Sequence, residues 1–295
     1  MMFVDFARAH GVLIDHLVED GRIHRCATEG HERKKNGAWM YDGRRGWVMA
    51  WDFDGEVHWF NDPNAPAWTD AEKRAVDERR RAQRRRDEWK RLTAVKEATA
   101  MLRRASWAPA AYMQYKGFRE KLSHYAKPEW KHGYAHVVDG AMFVPMYSLQ
   151  GQIVGGQVIR WLPDEQRHEK KMIPGTKAKG AVFRLGPAMP RVTWLCEGFA
   201  TGLSIKMALE QMRFADAVLV CFSDSNLVHV APQIPGMRFV FADNDQSGAG
   251  ERAAIATALP YAMSSTEGFD ANDVHVKNGL FAVCELIRKA RRSEP

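Results

Sequence analysis

The sequence predicts a mixed α+β chain that ends in an α/β domain with a parallel sheet flanked by helices. Three observations predict it. From Val192 onward, continuous apolar runs alternate with amphipathic helical patterns, as buried parallel strands joined by helices require. The first seventy residues instead carry short strand patterns punctuated by glycine. Between these regions, Thr69 to Ser106 is free of glycine and dense in charge.

Residues 1–68 read as a small β-rich domain. A short helix is expected from Asp5 to Glu19, then strands around Ile23, Trp39–Tyr41, Trp47–Trp51 and Val57–Phe60, with turns at Gly37, Gly43, Gly46 and Gly55. Trp39, Trp47, Trp51 and Trp59 read as core packing, with stacking on single-stranded bases as the alternative. His24, Cys26 and His31 have metal-binding chemistry, but a structural zinc site needs four ligands and no second pair follows at a workable spacing, so zinc is not expected.

Residues 69–106 predict one long basic helix, opened by a Thr69–Glu72 capping box. Arg79-Arg80-Arg81 and Arg84-Arg85-Arg86 recur around its circumference, so it reads either as a solvated linker or as a helix contacting nucleic acid. Residues 107–188 mix a short helix, Ala110 to Tyr115, with strands at Met142–Tyr147, Ile153–Trp161 and Ala181–Leu185, and Gly151, Gly155 and Gly156 mark a hairpin and a bulge. Lys170-Lys171 and the Gly175-Thr176-Lys177-Ala178-Lys179-Gly180 loop offer cations to phosphate, although the spacing is not that of a Walker A loop. Residues 189–295 form the α/β domain: strands Val192–Cys196, Ala217–Phe222 and Arg238–Ala242, with helices Gly202–Met212, Gly250–Leu259 and Leu280–Arg292.

With 295 residues, the chain has room for several small domains and a real core. A formal net charge of +7 points to an anionic partner, nucleic acid before others. Cys26, Cys196, Cys221 and Cys284 lie far apart with no CxxC and read as reduced thiols. No apolar run approaches the length of a membrane span and no signal-peptide pattern opens the chain, so a cytoplasmic location without a membrane partner is expected.

The chemistry concentrates in acidic blocks beside apolar runs. Glu197 follows Val192–Cys196 and is succeeded by the small residues Gly198, Ala200, Thr201 and Gly202, which leave room for a ligand beside the carboxylate and a helix N-terminus. Asp243 and Asp245 follow Arg238–Ala242 in a DxD spacing that suits Mg²⁺, and Asp245-Gln246-Ser247-Gly248 equally suits a turn capping the next helix. Asp270 and Asp273 complete the order. The Ser223-Asp224-Ser225-Asn226 turn also stands at a strand end.

These motifs resemble a known family. Leu195-Cys196-Glu197-Gly198-Phe199-Ala200-Thr201-Gly202, Phe222-Ser223-Asp224-Ser225-Asn226-Leu227, Ala242-Asp243-Asn244-Asp245 and Asp270-Ala271-Asn272-Asp273 are similar to the Toprim domain of phage and plasmid DNA primases, over about a third of the chain. Upstream, Tyr112-Met113-Gln114-Tyr115-Lys116-Gly117, Val144-Pro145-Met146-Tyr147 and Ile173-Pro174-Gly175-Thr176-Lys177-Ala178-Lys179-Gly180 resemble the segment preceding that domain. Gly21-Arg22-Ile23-His24-Arg25-Cys26 and Gly37-Ala38-Trp39 resemble the ribbon-like N-terminal domain, without its paired cysteines.

The resemblance implies a DNA-directed RNA polymerase of phage or mobile-element type that makes primers on single-stranded DNA from NTPs, alongside a separate replicative helicase. It implies Glu197 as general acid/base or further metal ligand, Asp243 and Asp245 as ligands of Mg²⁺ or Mn²⁺, and Asp270 and Asp273 as a supporting metal site. Arg160, Lys170, Lys171, Lys177, Lys179 and Arg184, with Arg84, Arg85 and Arg86, then become the residues that bind nucleotide and template. Two alternatives stand beside it: a Toprim nuclease using the same carboxylates, and a non-catalytic single-stranded DNA-binding replication protein.

Overall fold

A computed structural model describes residues 2–63, 65, 68–118, 127 and 132–292. The chain divides into two compact units, residues 1–80 and 81–295. The long helix α2 (Asp70–Arg104) crosses that boundary.

In the first unit, α1 (Phe3–Ala9) stops well short of Glu19, because Gly11 turns the backbone left-handed at φ +71° and the chain continues as β1 (Val12–Leu13). Strands β2 (His24–Thr28), β3 (Gly37–Tyr41), β4 (Arg45–Ala50) and β5 (His58–Asn61) follow in an antiparallel meander of order β1-β2-β3-β4-β5. Strand periodicity divides the tryptophans. Trp39 pairs with Val48 and is buried under Phe3, whereas Trp47 pairs with Trp59 on the other face, where Trp59 is exposed, as is Trp51 beyond the end of β4. Core packing therefore describes Trp39 and not Trp51 or Trp59.

The Thr69–Glu72 capping box forms as the sequence predicts: Thr69 N donates to Glu72 Oε2 at 2.8 Å, and Glu72 N donates to Thr69 Oγ1 at 3.3 Å. The arginine-rich part of α2 is exposed. Toward its C-terminus Ala94, Ala98 and Met101, spaced four and three residues apart, bury a narrow seam against Val138, Ala141, Phe143, Val158 and Ile173. Alanines at two of those positions let the helix lie close to the sheet, so this end is a packed element of the second unit.

The sheet beneath it has the order β10-β9-β8-β7-β6, all antiparallel: β6 (Ser106–Pro109), β7 (Tyr134–Val138), β8 (Ala141–Tyr147), β9 (Ile153–Leu162) and β10 (Arg167–Met172). The register shifts at Met146/Tyr147, opposite the Gly155–Gly156 pair. A Cβ on Gly156 would stand 2.2 Å from the buried Phe143 ring, so only glycine lets the strand pass that side chain. The short helix α3 (Ala111–Tyr115) packs toward β9.

The second sheet of this unit has the order β11-β13-β12-β14-β15, built from β11 (Phe183–Leu185), β12 (Val192–Cys196), β13 (Ala217–Val220), β14 (Met237–Ala242) and β15 (Tyr261–Met263). Only β11 runs antiparallel. Alternate strand residues feed two cores. Trp194, Cys196, Val218, Val220, Phe239 and Phe241 pack under α4 (Phe199–Gln211), α7 (Ala271–Asn278) and α8 (Leu280–Arg292). Leu195, Leu219, Cys221, Val240 and Ala242 pack under α5 (Asp224–Val230) and α6 (Ala249–Ala256). The sheet is thus covered on both faces, as the continuous apolar strands require.

Gly156→Ala is expected to lower the unfolding free energy by about 1–3 kcal/mol, the usual cost of overpacking a closed core. Chemical denaturation checks it. A loss of stability in that range places the strain at Phe143, and an unchanged midpoint rules it out.

Candidate carboxylate site

The strand order puts β13 and β14 on opposite sides of β12, so the chain reverses its winding direction between β12 and β14. A crevice opens beyond the carboxyl ends of strands at such a point. Glu197 follows β12 there and Asp243 follows β14. Asp224 joins them from the end of the β13 run, where Phe222 is held at φ +67° with its N–H donated to Glu197 O at 2.9 Å. That left-handed turn starts α5, whose first turn Ser223 caps by accepting from Asn226 N.

Burial and mutual repulsion set the electrostatics. Burial first, then the charges of Asp270, Glu197, Asp224 and Asp245, push the Asp243 carboxyl up to about 8. Burial and the neighbouring Asp224 raise Glu197 to about 7, with the Lys170 charge opposing. Asp224 is raised as well, by burial, while its hydrogen bond with Glu197 works the other way and leaves the shared proton on the Glu197 side. Asp245 goes in the opposite direction, to about 2, because hydrogen bonds hold its charged form. Its carboxylate accepts from Ser247 Oγ, from Gly250 N at 2.9 Å and from Ser247 N at 2.8 Å, so it also caps the start of α6 as the turn reading expects.

Close packing fixes Asp243. A Cβ on Gly250 would lie 2.3 Å from Asp243 O, so the N-terminus of α6 sits directly on this backbone only because residue 250 has no side chain. Asp270 caps α7 by accepting from Asn272 N at 2.6 Å and Asp273 N at 2.9 Å, and also accepts from Thr201 Oγ1 at 3.0 Å. Asp273 returns the capping box by accepting from Asp270 N at 3.2 Å. Asp270 therefore faces Asp243, whereas Asp273 serves the helix terminus.

Among the described residues no three His, Cys, Asp or Glu side chains form a ready-made metal cage. The carboxylates nevertheless fit a divalent cation. Asp243 Oδ1 is buried without a hydrogen-bond partner, within the field of four other acidic groups. Magnesium keeps most of its water and takes only one or two carboxylates, completing its shell from substrate phosphates, so an open set of this kind suits it better than a closed one. In the first unit His24 pairs with Asp20 at 2.9 Å and His31 with Asp52 at 2.6 Å, while burial raises the Cys26 thiol to about 11.

The expected cationic residues separate into different places. Lys170 lines a cleft of about 90 Å³ with Tyr112, Gln157, Glu197 and Phe222. Lys171 and Arg160 lie on the other face of the β9–β10 hairpin, Lys171 paired with Glu169 at 2.8 Å and Arg160 opposite Glu169 in the ladder. Lys177 and Lys179 line a separate cavity of about 320 Å³ with Ser148, Gln150, His229 and Gln233. Arg184 is half-buried on β11, and Arg84, Arg85 and Arg86 are exposed on α2. Asp224 belongs to the carboxylate group and is absent from the set named from the sequence. Its signal was the acidic turn at the end of a buried strand, the same signal that marked Glu197 and Asp243.

Residues 192–280 match the family model described as Toprim domain. This part of the chain is a Toprim domain. Among solved structures, the RNA polymerase domain of Mycobacterium tuberculosis primase DnaG is similar to the chain at 18% identity and a TM-score of 0.38, covering 64% of this chain and 71% of that one. The DnaG primase catalytic domain bound to ssDNA matches at 13% identity and a TM-score of 0.40, covering 70% and 73%. The E. coli primase catalytic core matches at 13% identity and a TM-score of 0.38, covering 73% of each chain. In the Toprim domain here, Glu197, Asp224, Asp243 and Asp270 converge, both oxygens of Asp245 accept from the turn and first residues of α6, and Asp273 stays with α7.

Asp243 carries its proton in the folded protein up to about pH 8 and loses it near 3.8 when unfolded. Its contribution to stability is therefore full below about pH 3.8 and falls as pH rises toward 8. In EDTA, Asp243→Asn is expected to melt at least about 2 °C above the parent at pH 8, with the difference shrinking toward pH 5. Thermal melts across that range check it, and a variant less stable at every pH contradicts the buried-charge account.

Proposed function

We propose that the protein is a DNA primase, joining ribonucleotides on a single-stranded DNA template by divalent-cation-dependent nucleotidyl transfer. The observation that carries this reading is a buried carboxylate group at the winding reversal of a Toprim sheet, opening on a cleft lined by Lys170. Residues 81–188 supply the complementary charge, with 21 Lys and Arg against 9 Asp and Glu. In this reading residues 1–68, 69–106, 107–188 and 189–295 are the ribbon-like domain, basic helix, basic subdomain and Toprim domain of one polymerase.

Asp243 and Asp245 would hold the cation, with Asp270 behind Asp243 and Asp224 beside Glu197. A bound divalent cation supplies neutralisation of the triphosphate and acidity at the attacking hydroxyl. Glu197, raised to about 7, accepts the proton of the attacking 3′ oxygen in its ionised form, once the proton it shares with Asp224 has left. Lys170 draws phosphate into the cleft and lowers the cost of ionising Glu197. Ser247, Ala249 and Gly250 hold Asp245 in one orientation through their N–H groups. The exposed arginines of α2 contact template phosphates without reading sequence.

A nuclease with the same carboxylates is the second reading, and one assay separates the two. With single-stranded DNA, NTPs and Mg²⁺, labelled oligoribonucleotides are expected and the DNA stays at full length. Shortened DNA without new RNA overturns the primase reading in favour of cleavage. Asp243→Asn is expected to reduce synthesis on the order of 10²-fold or more while the protein remains folded. Synthesis by Asp243→Asn at the parental rate removes Asp243 from the machinery.

Arg84→Ala/Arg85→Ala/Arg86→Ala is expected to weaken binding to oligo(dT) and to flatten the dependence of log K on log salt by up to about 2, for three lost phosphate contacts on a single strand. Fluorescence anisotropy at several salt concentrations checks it. An unchanged slope returns these arginines to a solvated helix.

A further inference from the structure

The β9–β10 hairpin carries an aromatic cluster beside the carboxylate cleft. Trp161 and His168 stand directly opposite each other in the ladder, with ring centroids 4.9 Å apart. Tyr115 reaches the same imidazole at 5.0 Å and Tyr112 at 5.2 Å, both from α3. Three aromatic rings thus surround one histidine. Both its ring nitrogens are buried without a hydrogen-bond partner.

Core packing alone does not account for this group. An aliphatic or phenyl side chain would fill the same space without burying two unpaired nitrogens, which carry an uncompensated desolvation cost. Nor is the cluster closed: Trp161 is 45% exposed and Tyr115 is 68% exposed, while Tyr112 is buried behind them. Burial and the Lys170 charge lower His168 from its ordinary value, which favours the uncharged imidazole beneath a ligand. Flat, partly exposed rings on a rigid hairpin lose little freedom when another π-system lies on them.

Position supplies the rest. The next row on the same hairpin face is Ile159 opposite Lys170, two residues along, or about 7 Å. The Lys170 ammonium stands 5.3 Å from the Tyr112 ring, and Lys170, Ile159 and Tyr112 all line the cleft that contains Glu197. Aromatic faces, then a cation, then the carboxylates therefore follow one another along one surface. That sequence of chemistries matches a nucleobase, its phosphate, and the centre that acts on phosphate.

We propose that Trp161 and Tyr115, supported by His168, form a nucleobase-stacking platform that orients a nucleotide, its phosphate on Lys170, at the mouth of the Glu197 cleft. The proposal rests on the nucleotidyl-transfer reading for its ligand class. A free nucleoside triphosphate and a base of single-stranded DNA share the chemistry recognised, and the test distinguishes them. Trp161 and Tyr115 are positioning residues here, since they touch the base and not the reacting atoms.

The test measures binding to the full chain of four probes: ATP, inorganic tripolyphosphate, oligo(dT), and an abasic oligonucleotide of equal length. Trp161→Ala is expected to weaken ATP or oligo(dT) binding by about 5- to 150-fold, the cost of one lost base stack. Tripolyphosphate and the abasic strand should bind as to the parent. Trp161→Phe should restore most of the loss, and Tyr115→Ala should lower affinity in the same base-dependent way. A loss confined to ATP identifies the incoming nucleotide as the occupant, accompanied by a raised KM with kcat near the parental value. A loss confined to oligo(dT) identifies a template base.

Equal effects on base-bearing and base-free probes, or none on either, overturn the platform. So does a parent that binds neither ATP nor oligo(dT). Trp161→Phe that matches Trp161→Ala while melting at the parental temperature also overturns it. Failure of the nucleotidyl-transfer reading has a different signature: base-dependent binding persists in the parent but no oligoribonucleotide is made.

Discussion

The constraint on which the site depends is the burial of Asp243 among other acids. Asp270, Glu197, Asp224 and Asp245 all act against its ionisation, and its Oδ1 has no hydrogen-bond partner. Like charges held this close in a poorly solvated crevice oppose folding unless protons or a cation offset them. The fold disperses part of the repulsion locally: Asp245 is stabilised by the N–H groups opening α6, Asp270 accepts from Thr201 and the start of α7, and Glu197 shares a proton with Asp224. Asp243 alone receives no such relief. The fold leaves this one repulsion unresolved.

The basic residues are placed as unevenly as the acidic ones. The chain's net charge of +7 is not spread evenly: residues 1–80 hold 12 Lys and Arg against 15 Asp and Glu, whereas residues 81–188 carry the large excess of cations. A carboxylate crevice on its own repels a polyphosphate. The cationic subdomain lies in the same compact unit as the Toprim domain, so its positive potential offsets the negative potential of the crevice within one body.

Much of the Toprim domain was legible in the sequence because its strands are buried on both faces. Val192–Cys196 and the run ending at Ala242 are apolar without interruption, and a carboxylate just beyond each marks a strand end where a ligand site forms. Other features were hidden for physical reasons. Asp224 lies in a turn that also reads as an ordinary helix cap, and only the fold brings it to Glu197. The first helix extends too far in the sequence pattern because Val12 and Leu13 continue its apolar spacing, although Gly11 diverts them into a strand. The Ala94, Ala98 and Met101 seam was masked because alanine carries little apolar signal within so charged a helix. Division of the tryptophans between core and open face needed the register, since one residue's shift exchanges the faces.

The same alternation limits what a run of basic residues means. Lys170 and Lys171 are adjacent in sequence and read as one phosphate-binding pair. In the hairpin they point to opposite faces, Lys170 toward Glu197 and Lys171 toward Glu169 and Arg160. The face that receives Lys170 also receives Trp161 and His168, whereas the opposite face receives Val158, which packs under α2. One side of the hairpin is therefore structural, tied to the helix by apolar contact, and the other is open to the cleft. Sequence proximity groups two cations that the hairpin separates. Strand pairing regroups Lys170 with aromatic residues nine and two positions away, Trp161 and His168, and leaves Lys171 on the face where Val158 packs under α2.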